Sequence, residues 1–191
     1  MQQIAMAPVA CVAIFSLALA SLSPAGAIDT PGNNNNNDNG VTVAAPRRVP
    51  AAAQFLQVHN DARRAVGVAP LAWNATLELD AKRKAEALGV QCKLSPPLKW
   101  DNDRFYGGNT YWGGGFQDGA AVAGAWVYER RWYDHGADAC APGEECRSYR
   151  QVVWNTTTQL GCARRTCRSS RDTVGVCRYF PRGNYAGVPP Y

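Results

Sequence analysis

Residues 149–179 read YRQVVWNTTTQLGCARRTCRSSRDTVGVCRY. Three runs within this stretch, Tyr149 to Trp154, Gln159 to Ala163 and Thr173 to Tyr179, are separated by polar clusters, and the first and third are rich in valine and aromatic residues. Side chains of that kind, in runs of that length, predict strands. Upstream the period lengthens. Phe55, Val58, Ala62 and Val66 recur at helical spacing until Gly67 stops the run. Leu77, Ala81, Ala85 and Leu88 form the stripe of a second helix from about Thr76 to Leu88, with Gly89 as its stop; Lys82, Arg83 and Lys84 read as its solvated face. Residues 92–116 read as a long loop, with two prolines and five glycines. Asp118 can cap a third helix, on which Glu129 shares a face with Val122, Ala125 and Trp126. Helices first and strands last predict an α+β layered domain, not alternating βαβ units.

The flanks bound the rest. Val9 to Leu22 is an uncharged apolar run too short to span a bilayer comfortably, and Ala25-Gly26-Ala27 follows it as a small-x-small site. We read residues 1–27 as a secretory signal and expect an extracellular protein. Residues 28–50, with the asparagine run Asn33 to Asn37, have no apolar face to bury and read as a disordered tail. One domain, 51–191, remains. Net charge is +5 on 191 residues, a surplus too small to indicate a nucleic-acid partner. The signal removes Cys11 and leaves six cysteines, an even set that reads as three disulfides in a secreted chain. Fifteen pairings are open. Zinc-thiolate is disfavoured, since no Cys-x-x-Cys occurs and only His59 and His135 could assist.

Several motifs then fall in one order: His59-Asn60-Asp61-Ala62-Arg63, Ala125-Trp126-Val127-Tyr128-Glu129, Tyr149-Arg150-Gln151-Val152-Val153-Trp154, Gly161-Cys162-Ala163 and Cys177-Arg178-Tyr179-Phe180-Pro181-Arg182-Gly183-Asn184. Together they resemble the CAP superfamily (cysteine-rich secretory, antigen 5 and pathogenesis-related class 1), and within it the plant pathogenesis-related class 1 proteins. The resemblance implies an α-β-α sandwich, a central antiparallel sheet with helices on both sides. It also implies the pairing Cys92–Cys167, Cys140–Cys146 and Cys162–Cys177, each disulfide contributing roughly 2–4 kcal/mol.

Many members of that superfamily carry two histidines and two glutamates in a central cleft, a set suited to a divalent metal. Carried over position by position, one of the four survives here. Cys92-Lys93-Leu94 runs on into Ser95-Pro96-Pro97 without the first histidine. Gly108 replaces the first glutamate in Tyr106-Gly107-Gly108-Asn109, Glu129 is kept, and Ser148 replaces the last histidine. We therefore expect no metal and no other cofactor, and we read His59 as structural. A buried lone carboxylate must be paired, hydrogen-bonded or protonated. If 149–154 is a strand, Ser148, Arg150, Val152 and Trp154 share a side, and Arg150 is expected either to pair with Glu129 or to stand exposed to solvent.

The function expected is that of a secreted, monomeric, non-enzymatic defence protein. From Arg147 to Tyr191 there are eight arginines and one acid, Asp172, which reads first as a solvated basic face and, as the alternative, as a surface for anionic wall polymers or a membrane. Tyr111, Trp112 and Phe116, on what reads as a glycine-hinged loop, either cap the sheet core or suit a sterol or other apolar lipid, a ligand class the resemblance implies. Residues 181–191 resemble the segment that the family can release as a signalling peptide. A hydrolase is the weakest reading, because a histidine close to a nucleophile is not apparent. Asn74 and Asn155 head glycosylation sequons and are expected at the surface.

Overall fold

The computed structural model describes residues 49–91 and 105–191, all within one compact unit, Ala44–Tyr191. Pro50 opens helix α1 (Ala51–Arg64), and Gly67, at φ +73°, turns the chain out of it. Strand β1 (Ala72–Trp73) follows, then helix α2 (Ala75–Gln91). Asn74 caps α2 by accepting from the amides of Thr76 (2.8 Å) and Leu77 (3.2 Å). The helix runs through Gly89 instead of stopping there, and that residue is buried facing Arg165.

Strand β2 (Gly107–Gly113) lies inside the segment expected to be a loop. Its composition is poor for a strand. The ladder with β6 (Thr173–Phe180) imposes the extended form along its whole length, from Gly107 opposite Tyr179 to Gly113 opposite Thr173. Helix α3 (Gly119–Tyr128) starts at Asp118 as expected, the Asp118 side chain accepting from the Ala121 amide. A 3₁₀ turn (Glu129–Trp132) and the two-residue strands β3 (Tyr133–Asp134) and β4 (Ala139–Cys140) lead into helix α4 (Arg147–Val152). Strands β5 (Gln159–Thr166) and β6 close the fold, as expected.

Helix α4 is a correction: 149–154 is not a strand. Two tertiary clamps decide this against the local preference of valine and tryptophan. The Glu129 carboxylate holds the first amides of α4, at Ser148 and Tyr149, and the buried Arg63 guanidinium gathers the carbonyls of Val152, Trp154 and Thr157.

The sheet order is β1-β5-β6-β2. Its three longer strands are antiparallel, but β1 joins β5 in parallel, so the sheet is mixed and not wholly antiparallel. One face packs Leu160, Cys162, Cys177 and Tyr179 against Phe55 of α1, Trp126 of α3 and Val152 of α4. The other packs Ala163, Val174 and Val176 against Ala81 and Ala85 of α2. Gly161 permits the close approach of α2, because a Cβ there would stand 2.2 Å from the Glu78 amide nitrogen. Two of the implied disulfides are present: Cys140–Cys146, and Cys162–Cys177 across directly paired residues of β5 and β6. Cys92 of the third lies outside the described residues, and Cys167 is buried.

Candidate functional site

Helix α3 delivers Glu129 to the start of α4. Its Oε2 accepts from the amide nitrogens of Ser148 (2.8 Å) and Tyr149 (3.0 Å). Burial raises the carboxyl pKa, and the hydrogen bonds from Ser148 and Tyr149 work in the opposite direction. The expected ion pair with Arg150 is absent. Arg150 Nη2 lies 3.1–3.2 Å from the Asp138 carboxylate oxygens and donates to the Val188 carbonyl at 2.9 Å. The reason is the α4 correction: helical geometry replaces the strand alternation that would have aimed Arg150 and Ser148 the same way.

Gly108 sits in β2 opposite Arg178. Its neighbour Asn109 reaches through the sheet edge, with Nδ2 donating to the Ser148 carbonyl (3.0 Å) and to Tyr179 Oη (3.0 Å). The fold therefore does bring Gly108, Glu129 and Ser148 into one region. A divalent ion there would find a single carboxylate, already accepting from two amides, beside a glycine and a serine. Those donors do not fit a metal. Among the described residues no three His, Cys, Asp or Glu side chains converge.

His59 is fully buried in α1 and lies at the centre of the same network. Nδ1 faces the Phe55 carbonyl at 2.7 Å, which can only accept, so Nδ1 carries the proton and Nε2 accepts from Tyr179 Oη at 2.8 Å. Burial pushes its pKa down to about 4 and holds the ring neutral. Arg63, one turn on, donates to the carbonyls of Ala69 (2.6 Å), Val152 (3.0 Å), Trp154 (2.9 Å) and Thr157 (2.8 Å), and burial lowers its pKa to about 10. The sequence reading missed Asn109 and Arg63 as parts of this region, although both stand inside the motifs quoted above. The signal available was a polar residue at a position that only a buried network can satisfy.

The three aromatics of the expected lipid loop divide. Tyr111 and Trp112 belong to β2; Tyr111 packs against the core, while Trp112 is 47% exposed. Phe116 follows the glycine turn and is 54% exposed, with the Arg164 guanidinium 4.3 Å above its ring. The basic C-terminal stretch is partly neutralised: Arg150 pairs with Asp138, Arg165 with Glu86 (3.3 Å) and Arg178 with Asp80 (2.5 Å). Asn155 is exposed, whereas Asn74 is half-buried at its cap. His135 is exposed, and its ring stacks on Tyr191 at 4.4 Å.

The chain thus combines a layered α-β-α core, two cystines and a buried His59–Tyr179–Asn109 network. The profile of the cysteine-rich secretory protein (CAP) family matches residues 56–179, and the chain belongs to that family. Within it, the chain is 40% identical over 139 residues to the pathogenesis-related protein PRMS of Zea mays, covering 72% of this chain and 80% of that one. It is 38% identical over 138 residues to the pathogenesis-related protein 1A of Nicotiana tabacum, with 72% and 79% coverage. The venom allergen-like protein 4 of Schistosoma mansoni shares the fold, with a TM-score of 0.60 at 23% identity over 75% of this chain and 95% of that one.

Proposed function

We propose that the chain is a secreted, non-enzymatic defence protein of the pathogenesis-related class 1 type, in which the ancestral cation cleft no longer takes a metal. The observation that carries this reading is the state of Glu129, whose carboxylate serves the amides of Ser148 and Tyr149 while Gly108 and Ser148 offer no ligand in place of a glutamate and a histidine. Both cystines support export to an oxidising compartment, as does the apolar N-terminal run. Both nitrogens of His59 are engaged in a buried network, which speaks against a general base there. Metal analysis of the purified mature protein, with a thermal scan after adding Zn²⁺, tests the reading: stoichiometric zinc overturns it. An apolar ligand would meet Trp112 and Phe116, and loss of radiolabelled sterol binding on exchanging residues 111–116 tests that part.

A second reading, release of a C-terminal peptide, is favoured by one feature. Strand β6 ends at Phe180, so the segment 181–191 begins where the sheet stops. Mass spectrometry of extracellular fluid for the 181–191 fragment decides it.

A further inference from the structure

One end of the sheet holds apolar side chains out in water. The ladder of β5 and β6 closes there with Thr166 opposite Thr173, and Gly113 of β2 lies opposite Thr173 on the other side. The hairpin runs on past that point, the Cys167 amide donating to the Asp172 carbonyl (2.7 Å), and ends in four consecutive exposed residues, Arg168-Ser169-Ser170-Arg171. Three exposed apolar side chains from three separate segments surround its base: Trp112 of β2, Phe116 after the glycine turn, and Val90 at the end of α2, which is 79% exposed. Their backbones are anchored. Thr173 Oγ1 accepts from the Gln117 amide (2.9 Å) and donates to the Gly115 carbonyl (2.8 Å), which stitches the glycine turn to the hairpin. Gly89, next to Val90, faces Arg165 of β5. A single exposed apolar side chain is ordinary in a folded protein; three gathered at one end call for a partner.

The charges at this end divide into spent and unspent. Arg165 pairs with Glu86, Arg164 lies over the Phe116 ring, the Asp118 carboxylate serves the Ala121 amide, and Asp172 is half-buried. Arg168 and Arg171 differ from these. Both are exposed, and among the described residues neither guanidinium makes an ion pair, a hydrogen bond or a ring contact. The surface is therefore a projecting turn with two available cations, ringed by apolar side chains. Arg168 stands three residues beyond Arg165, roughly 10 Å along a strand. The polar interface of one bilayer leaflet and a flexible arginine stem, whose charged head turns back toward phosphates, together cover that span.

We propose that this end of the domain docks on a lipid bilayer with anionic headgroups, Arg168 and Arg171 lying among the phosphates while Trp112, Phe116 and Val90 enter the interface. Tryptophan and phenylalanine belong at that depth, and basic side chains add attraction to anionic lipid. An acidic polysaccharide would answer the arginines and could stack on the two rings, but it would leave Val90 in water. The inference goes beyond the function proposed above, because the bilayer surface itself is the partner and no sterol is needed.

The test is co-sedimentation of the full mature protein with sterol-free vesicles of phosphatidylcholine and phosphatidylglycerol, read against vesicles of phosphatidylcholine alone. Binding to the anionic vesicles is expected to be at least ~10-fold tighter and to weaken as salt rises. Arg168→Gln combined with Arg171→Gln is expected to weaken it about thirtyfold, two side chains at roughly fivefold each, with the melting temperature unchanged. Trp112→Ser is expected to weaken it severalfold and to diminish the blue shift of tryptophan emission on adding vesicles. Arg83→Gln combined with Arg130→Gln removes the same charge from exposed positions on α2 and the 3₁₀ turn and is expected to leave binding unchanged. Retained binding in the Arg168/Arg171 variant, or equal loss in the two double variants, overturns the proposal in favour of diffuse charge. Equal binding to neutral vesicles overturns it in favour of plain apolar adsorption, and binding to polygalacturonate in place of vesicles overturns it in favour of a wall polymer. A protein that takes up sterol yet ignores sterol-free vesicles refutes the docking surface alone and leaves the sterol reading standing.

Discussion

Lowering the pH from 7 to 5 is expected to destabilise this protein through His59. The ring is fully buried between Phe55, Tyr179 and Trp126, with Nδ1 donating to a carbonyl and Nε2 accepting from the Tyr179 hydroxyl. A proton on Nε2 would break the second bond and place a charge in the core near Arg63. Burial, more than that neighbour, sets the folded pKa at about 4 against 6.5 for the free side chain. Between those values the unfolded chain binds a proton that the native state refuses, so stability rises with pH and falls as acid is added. The loss approaches roughly 3 kcal/mol once both states are protonated, and about 2 kcal/mol of it falls between pH 7 and pH 5. Glu129 works against the trend. Its folded pKa is raised, so its contribution declines as pH rises through that value. Urea unfolding followed by tryptophan fluorescence measures the sum, and His59→Gln isolates the histidine: the variant starts less stable but loses about 2 kcal/mol less over the same interval. Equal pH dependence in the two proteins would refute the buried neutral ring.

Four further outcomes follow from the same contacts. Arg63→Gln leaves carbonyls of Ala69, Val152, Trp154 and Thr157 short of donors and is expected to cost about 3 kcal/mol or more, read as a lower melting temperature. Glu129→Ala strands the Ser148 and Tyr149 amides and costs about 2 kcal/mol, whereas Glu129→Gln keeps an acceptor and stays within ~1 kcal/mol; equal losses would show that the amides do not depend on that acceptor. Excess Zn²⁺ leaves the melting temperature unchanged, and a rise of several degrees would restore a metal site. Cleavage after Phe180 is expected to leave the 181–191 peptide attached. The Asn155 amide donates to the Pro190 carbonyl (2.7 Å), Arg150 holds the Val188 carbonyl and Tyr191 stacks on His135, so Arg150→Gln speeds release, measured by size-exclusion chromatography of the cut protein.

The fold class was legible in the sequence because periodicity reports which faces are buried. The stripes of α1 and α2, the Asp118 cap of α3 and the paired β5 and β6 all depend on neighbours within one element or one hairpin. The motifs marked the family, and they marked the places where Gly108 and Ser148 depart from it. Two exchanges were not legible. Tyr149–Trp154 carries strand-forming residues yet is helical at its start, and Gly107–Gly113 carries loop-forming residues yet is the edge strand. In both, distant groups outweigh local preferences worth less than about 1 kcal/mol per residue. Glu129 and Arg63 clamp α4 at its two ends, and β6 supplies a full ladder to β2. The partners of Arg150 were decided by tertiary structure alone, since Asp138 and the Val188 carbonyl come to it from 12 and 38 positions away and no local pattern records the meeting.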